Sequence, residues 1–226
     1  MTLDDFWTRV REELRKYDLL NHPFYQAWTS GRLTRREIGY YGWQYLHHVA
    51  AFPTYLTALH CRLPEGETRR AILANAAEEE AHDTAHSDLW RQFVGEIEPV
   101  KPPRTDAVLP EVKILIETYG DLARHGSPSA ALGAFYAYES QVPRIAEEKL
   151  AGLRSFYGAG EAACEYFALH VTADLHHAHV WRRLIDHSIQ ENAAHAGEVL
   201  EGVSRGAEAL WHALDGIDSG RRCLGD

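Results

Sequence analysis

Two short stretches hold the residues best suited to chemistry. In FALHVTADLHHAHV, positions 167 to 180, four histidines and an aspartate fall within ten residues. On a helix, successive side chains turn by about 100°. With His170 as origin, Asp174 falls at about 40° and His177 at about −20°, whereas His176 lies at about −120° and His179 at about 180°. His170, Asp174 and His177 therefore share one stripe, and two imidazoles with a carboxylate can ligate iron or manganese. The plainer alternative is a solvated helix rich in histidine. In EEEAHDTAHSDLW, positions 78 to 90, Glu79 and His86 are seven apart, about two turns, and stack on one helical face. Glu79 and His82 also form Glu-x-x-His, a spacing used in carboxylate-bridged di-iron bundles. Spacing leaves His82 and His86 as rivals, and a charge run of this kind is also what a solvated surface looks like.

A third stretch, AFYAYESQVPRI, places Glu139 in an apolar, aromatic segment where an unpaired carboxylate is costly to bury. Pro143, four residues on, cannot donate to the Glu139 carbonyl, which predicts a distorted helix beside this carboxylate. Its bland alternative is a buried Glu paired with Arg144 or a tyrosine hydroxyl. Taken together, Glu79, His86, Glu139, His170, Asp174 and His177 supply three carboxylates and three imidazoles from three helices. That set suffices for two metal ions with positions left open for oxygen.

The elements that must position these residues are helical throughout. Period-2 alternation is missing, and helical periodicities follow one another. Helices are expected over about Asp4–Tyr17, Thr34–Leu63, Glu67–Phe93, Pro110–His125, Ser129–Leu153, Gly160–Ser188 and Glu191–Leu214, with a short turn or helix at NHPFYQAW. Thr34 with Glu37 forms a capping box, Pro53 should kink the second long helix, and EPVKPPRTD reads as a loop. Gly216 is the expected stop of the last helix. Residues 1–215 would then form a single all-α domain of about seven helices, followed by a flexible tail over 216–226.

Composition excludes several other classes. A formal charge of −10 opposes nucleic-acid binding, which needs clustered Lys and Arg. No run approaches the roughly 20 apolar residues of a membrane span, and the charged N-terminus is no signal peptide. Three scattered cysteines, Cys61, Cys164 and Cys223, suit free thiols in a reducing cytoplasm.

The ordered pattern Glu-x6-His, a lone Glu in YES, then His-x3-Asp-x2-His resembles the haem-oxygenase-like dimetal oxidases. LLNHPFYQAW, HSDLWRQF and YESQVPRIAEEKLAGL narrow the resemblance to the family of the chlamydial protein associating with death domains, over about residues 14 to 190. This resemblance implies a seven-helix haem-oxygenase-like bundle with a di-iron or manganese/iron site. It implies the ligands Glu79, His86, Glu139, His170, Asp174 and His177, and so favours His86 over His82. It further implies p-aminobenzoate synthesis for folate, using O2, an external reductant and the protein's own side chains. Tyr25 in HPFYQAW would supply the aromatic ring and Lys149 in AEEKL the amino group. Tyr41, Tyr138 and Tyr166 match family tyrosines that can relay electrons or stabilise a radical. Tyr166 lies four residues before His170, and Tyr138 adjoins Glu139. Lysines are few (Lys16, Lys101, Lys113 and Lys149), which makes the one at this position more informative.

Each of these residues also has a plainer role available: ordinary packing for the tyrosines, and a surface ion pair for Lys149 in EEK. A conventional multiple-turnover dimetal oxidase on the same scaffold, acting on a fatty acid or amino acid, would leave Tyr25 intact. A non-enzymatic interaction protein would not need six matched ligands. A homodimer is compatible with either enzymatic reading.

Overall fold

Ten α-helices and one 3-10 turn make up the computed structural model, which describes residues 1–80, 85–99 and 107–224. No strand occurs among the described residues, as the all-α reading expected. Helix α1 (Leu3–Lys16) starts at a Thr2/Asp5 capping box and buries Phe6, Trp7 and Val10 against the last helix. A 3-10 turn (Leu19–Asn21) leads into α2 (Pro23–Thr29), where Pro23 sits in the first turn and the Phe24 N–H donates to His22 Nδ1. Helix α3 (Arg35–Arg62) has the expected Thr34/Glu37 box and runs unbroken through Pro53.

Two expected helices are each split, and with α2 this turns seven helices into ten. The helix expected over 67–93 is α4 (Glu67–Glu79) and α5 (His86–Ile97). Glu80 closes the first, and Ala85, in extended conformation, opens the second. The helix expected over 129–153 is α7 (Pro128–Glu139) and α8 (Val142–Phe156), and it breaks immediately after Glu139, where Pro143 forces it to. Helix α6 (Pro110–Arg124) precedes them. Most of EPVKPPRTD lies outside the described residues.

The last two helices, with α3, are the longest among the described residues: α9 (Glu161–Glu191) and α10 (His195–Arg221). Helix α10 does not stop at Gly216, as the sequence suggested, so the boundary of any C-terminal tail moves beyond Arg221. A Cβ at Gly216 would meet Glu111 Oε2 at 2.5 Å, so this glycine lets α6 approach instead of capping α10.

Helix α7 is buried on nearly all sides, wedged between α9 and α10, as its uniformly apolar sequence requires. Helix α9 packs on α5, α7 and α8 and touches α4. The Glu96 carboxylate of α5 accepts from the Gly160 and Ala163 N–H groups, which fixes the start of α9 against α5. Among the described residues no helix is long and apolar enough to cross a membrane, and all three cysteines are free thiols.

Candidate metal centre and tyrosine cavity

All six residues singled out as ligands are buried, and they converge as two triads: Glu79, His86 and His170 in one, Glu139, Asp174 and His177 in the other. Within each triad, ligand atoms from the three residues lie within 4.8 Å of one another. They come from four helices rather than three, because Glu79 ends α4 and His86 begins α5. The two side chains do come together, but stacking on one continuous helix does not bring them there. The chain leaves α4 and re-enters at α5, bringing His86 Nδ1 to 2.9 Å from Glu79 Oε2. His82 lies outside the described residues. On α9 the helical phase holds: His170, Asp174 and His177 point inward, and His176 and His179 are exposed.

The electrostatics of the triads call for a cation. His86 Nδ1 approaches Glu79 without the alignment of a hydrogen bond, as two groups do when both aim at a shared point. Burial alone would raise the Glu79 carboxyl, yet the adjacent His86 ring holds it below the usual carboxylate range. In the second triad, burial pushes Glu139 up to about 8, and the Asp174 carboxylate adds to the effect. Burial alone would lower His177, but hydrogen bonding to Asp174 and the charge of Glu139 outweigh it and hold the ring at about 10. Glu139 and the His177 ring thus hold protons in a dry interior that a metal ion would replace. Nitrogen and oxygen donors in this ratio suit iron and manganese. The residues present fit a dinuclear site.

Two neighbours orient Glu139. Asn75 Nδ2 donates to its Oε1 at 3.1 Å, and Trp181 Nε1 donates to Oε2. Arg144, the alternative partner, instead pairs with Asp18 at the surface, 2.9 Å away. The sequence reading missed Asn75 and Trp181, although each lies four residues from a ligand, Glu79 and His177 respectively, and so on the same helical face.

Tyr25, Tyr45, Tyr138, Tyr166 and Lys149 line a cavity of about 30 Å³, walled otherwise by Trp90, Phe167 and aliphatic side chains. Lys149 is buried rather than paired at the surface. Its Nζ donates to the Tyr41 hydroxyl and lies 4.8 Å from the Tyr25 ring centre and 4.7 Å from that of Tyr41. The Tyr25 and Tyr41 hydroxyls are 3.3 Å apart. Desolvation lowers Lys149 well below the ordinary lysine range and raises all five tyrosines of this cluster, so burial favours the neutral form of amine and phenols alike. Tyr166 connects the cavity to the triads, its ring stacked on His170 with centres 4.0 Å apart. Nothing in the sequence singles out Tyr45, which stacks on Tyr41 at 5.4 Å, or Trp90, which meets Tyr166 edge-on at 4.8 Å.

Comparison with known proteins agrees with this geometry. A family model described as iron-containing redox enzyme matches residues 40–211. The chain is 36% identical to a 4-aminobenzoate synthase of Nitrosomonas europaea, over 96% of this chain and 92% of that protein. It is 35% identical to a 4-aminobenzoate synthase of Chlamydia trachomatis, over 91% and 89% respectively. A domain of unknown function from Shewanella denitrificans with a heme oxygenase-like fold superposes with a TM-score of 0.81 at 18% identity, covering 98% of this chain and 94% of that one. That last likeness concerns the fold alone.

Proposed function

The chain belongs to the iron-containing redox enzymes, and from that premise we propose that it is a dinuclear-metal 4-aminobenzoate synthase that consumes its own side chains. Tyr25 supplies the aromatic ring and Lys149 the amino nitrogen, once per chain. The observation that carries this reading is the cavity. At about 30 Å³ it has room for a water-sized molecule. Pockets for organic ligands run to roughly 300–1,000 Å³. A fatty acid or amino acid has no place here, whereas a phenol and an amine already form the wall. This disfavours the multiple-turnover alternative.

Two ions at the triads, Fe/Fe or Mn/Fe, would supply O2 activation and phenol oxidation, drawing on O2 and an external reductant. The protein's own part is positioning and proton control. Burial favours the unprotonated Lys149 amine, the form a nitrogen donor must take. Tyr41 takes the Lys149 hydrogen bond and faces the Tyr25 hydroxyl, so amine and phenol are held at one point. Tyr166 and Tyr138 line the same cavity and adjoin ligands of the two triads, offering oxidisable rings between the metals and Tyr25. The apolar remainder of the wall keeps water from oxidised side chains.

Mass spectrometry of the intact chain and its peptides, before and after metal loading, reduction and exposure to air, tests this directly, with 4-aminobenzoate assayed in parallel. At most one product per chain is expected, with a lasting change at Tyr25 and none made by Tyr25→Phe. Many products per chain from protein with an unmodified Tyr25 would sink the self-sacrifice reading.

A further inference from the structure

The two α9 histidines are held in opposite ways. His170 Nδ1 lies 2.6 Å from the Tyr166 carbonyl oxygen, which can only accept. Nδ1 therefore carries the proton and Nε2 is free to ligate. In His177 the roles are reversed. Its Nδ1 faces the triad, 3.3 Å from Asp174 Oδ1 and 3.8 Å from Glu139 Oε2, and its Nε2 lies 2.7 Å from Glu78 Oε2. Glu78 is no member of either triad. It stands on the last turn of α4, 55% exposed, beside a surface cavity of about 100 Å³ whose wall includes His177 and Trp181.

We propose that Glu78 is the positioning residue for the metal ion held by Glu139, Asp174 and His177, accepting the His177 Nε2–H so that the Nδ1 lone pair points at the ion. The inference rests on the dinuclear reading and deepens it. A carboxylate behind a ligating imidazole fixes its tautomer and orientation and raises its basicity. Here that carboxylate is a half-exposed side chain, whereas the equivalent partner of His170 is a helix backbone carbonyl. Consecutive residues of α4 thereby serve different ions: Glu79 as a candidate ligand of the first, Glu78 from behind a ligand of the second. The last turn of α4 must be in place for both ions to be held fully.

Titration of the metal-free protein with Mn2+, with free ion counted by its paramagnetic resonance signal, tests this. Wild type is expected to take up two ions. Glu78→Ala should weaken the second 10–100-fold, in line with other losses of such carboxylates, and leave the first within about twofold. Glu78→Gln, which keeps an acceptor oxygen but not the charge, should fall between. Glu80→Ala, an exposed neighbouring carboxylate, should behave as wild type. A Glu78→Ala chain that binds the second ion as tightly as wild type overturns the role of Glu78 alone, as does an equal loss of both ions, which marks damage to α4. A wild-type chain that takes up fewer than two ions overturns the dinuclear reading and the proposal with it.

Discussion

His48, on α3, is fully buried with no hydrogen-bond partner at either ring nitrogen among the described residues, packed edge-on against Tyr119 and Tyr138 at 5.3 and 5.1 Å. Burial pushes its pKa down from 6.5 to about 3, so between those values the unfolded chain binds a proton that the folded one does not. Stability from this residue is complete above pH 6.5 and is lost as pH falls toward 3. A phenylalanine keeps the aromatic packing and removes two desolvated polar atoms. His48→Phe is therefore expected to stabilise the metal-free protein by about 1–3 kcal/mol at pH 7, and by more at pH 5. Urea unfolding of both proteins at the two pH values measures it, and a variant less stable than wild type at pH 7 would contradict the account.

Lys149 shows what a residue-by-residue reading loses. In the triplet EEK it looks like a surface charge, and Glu147 and Glu148 are indeed exposed. Read in helical phase, it shares the buried stripe of α8 with Ile145, Ala146, Gly152 and Leu153. The phase argument that sorted the α9 histidines would have placed it inside. His48 carries no such sign, because a buried histidine and a solvated one are written with the same letter.

Between residues and bundle, the sequence marks some helix ends and hides others. Pro143 announces the break after Glu139, which its missing N–H makes unavoidable. No glycine or proline lies between Glu80 and Ala85, so nothing in the sequence says that α4 stops there. Gly216 has the opposite defect, a stop signal that close packing against α6 turns to another use. Backbones approach closely where α7 crosses α10. A Cβ on Gly202 would sit 1.8 Å from the Ala130 carbonyl oxygen, and one on Gly133 2.3 Å from that of Val199. Backbone atoms cannot yield by changing rotamer, so Gly202→Ala must push the helices apart. Overpacking of this kind costs about 1–3 kcal/mol or more, exceeding the ~1 kcal/mol that alanine gains over glycine in a helix. Gly197→Ala, on the same helix with nothing within 4 Å, should gain up to about 1 kcal/mol. Thermal unfolding separates the two. Because α7 carries Glu139, Gly202→Ala should also weaken the second metal ion.

At the scale of the whole molecule, the triads tie α4 and α5 to α9, and α7 to α9, through buried side chains of which two, Glu139 and Asp174, repel one another without a cation. Neither α5 nor α7 carries a full triad, so the folded bundle is what creates the site. Ions that bind only the folded state stabilise it by mass action, about 2.7 kcal/mol for each at a hundredfold excess over its Kd. For a chain of this size each kcal/mol moves Tm by roughly 2–4 °C, so each ion should add roughly 5–10 °C. Loading with Mn2+ in the absence of reductant is expected to raise Tm by the sum of two such steps, and a chelator should return it to the metal-free value. Glu139→Gln separates this from nonspecific stabilisation by a divalent ion. The amide keeps the shape of the carboxylate beside Asn75 and Trp181 but gives up its charge. The metal-free variant should therefore unfold close to wild type, while its metal-induced rise falls to about that of one ion, since the triad of Glu79, His86 and His170 remains. An equal rise in both proteins would place the bound ions elsewhere on a chain of net charge −10 and remove the second triad from the site.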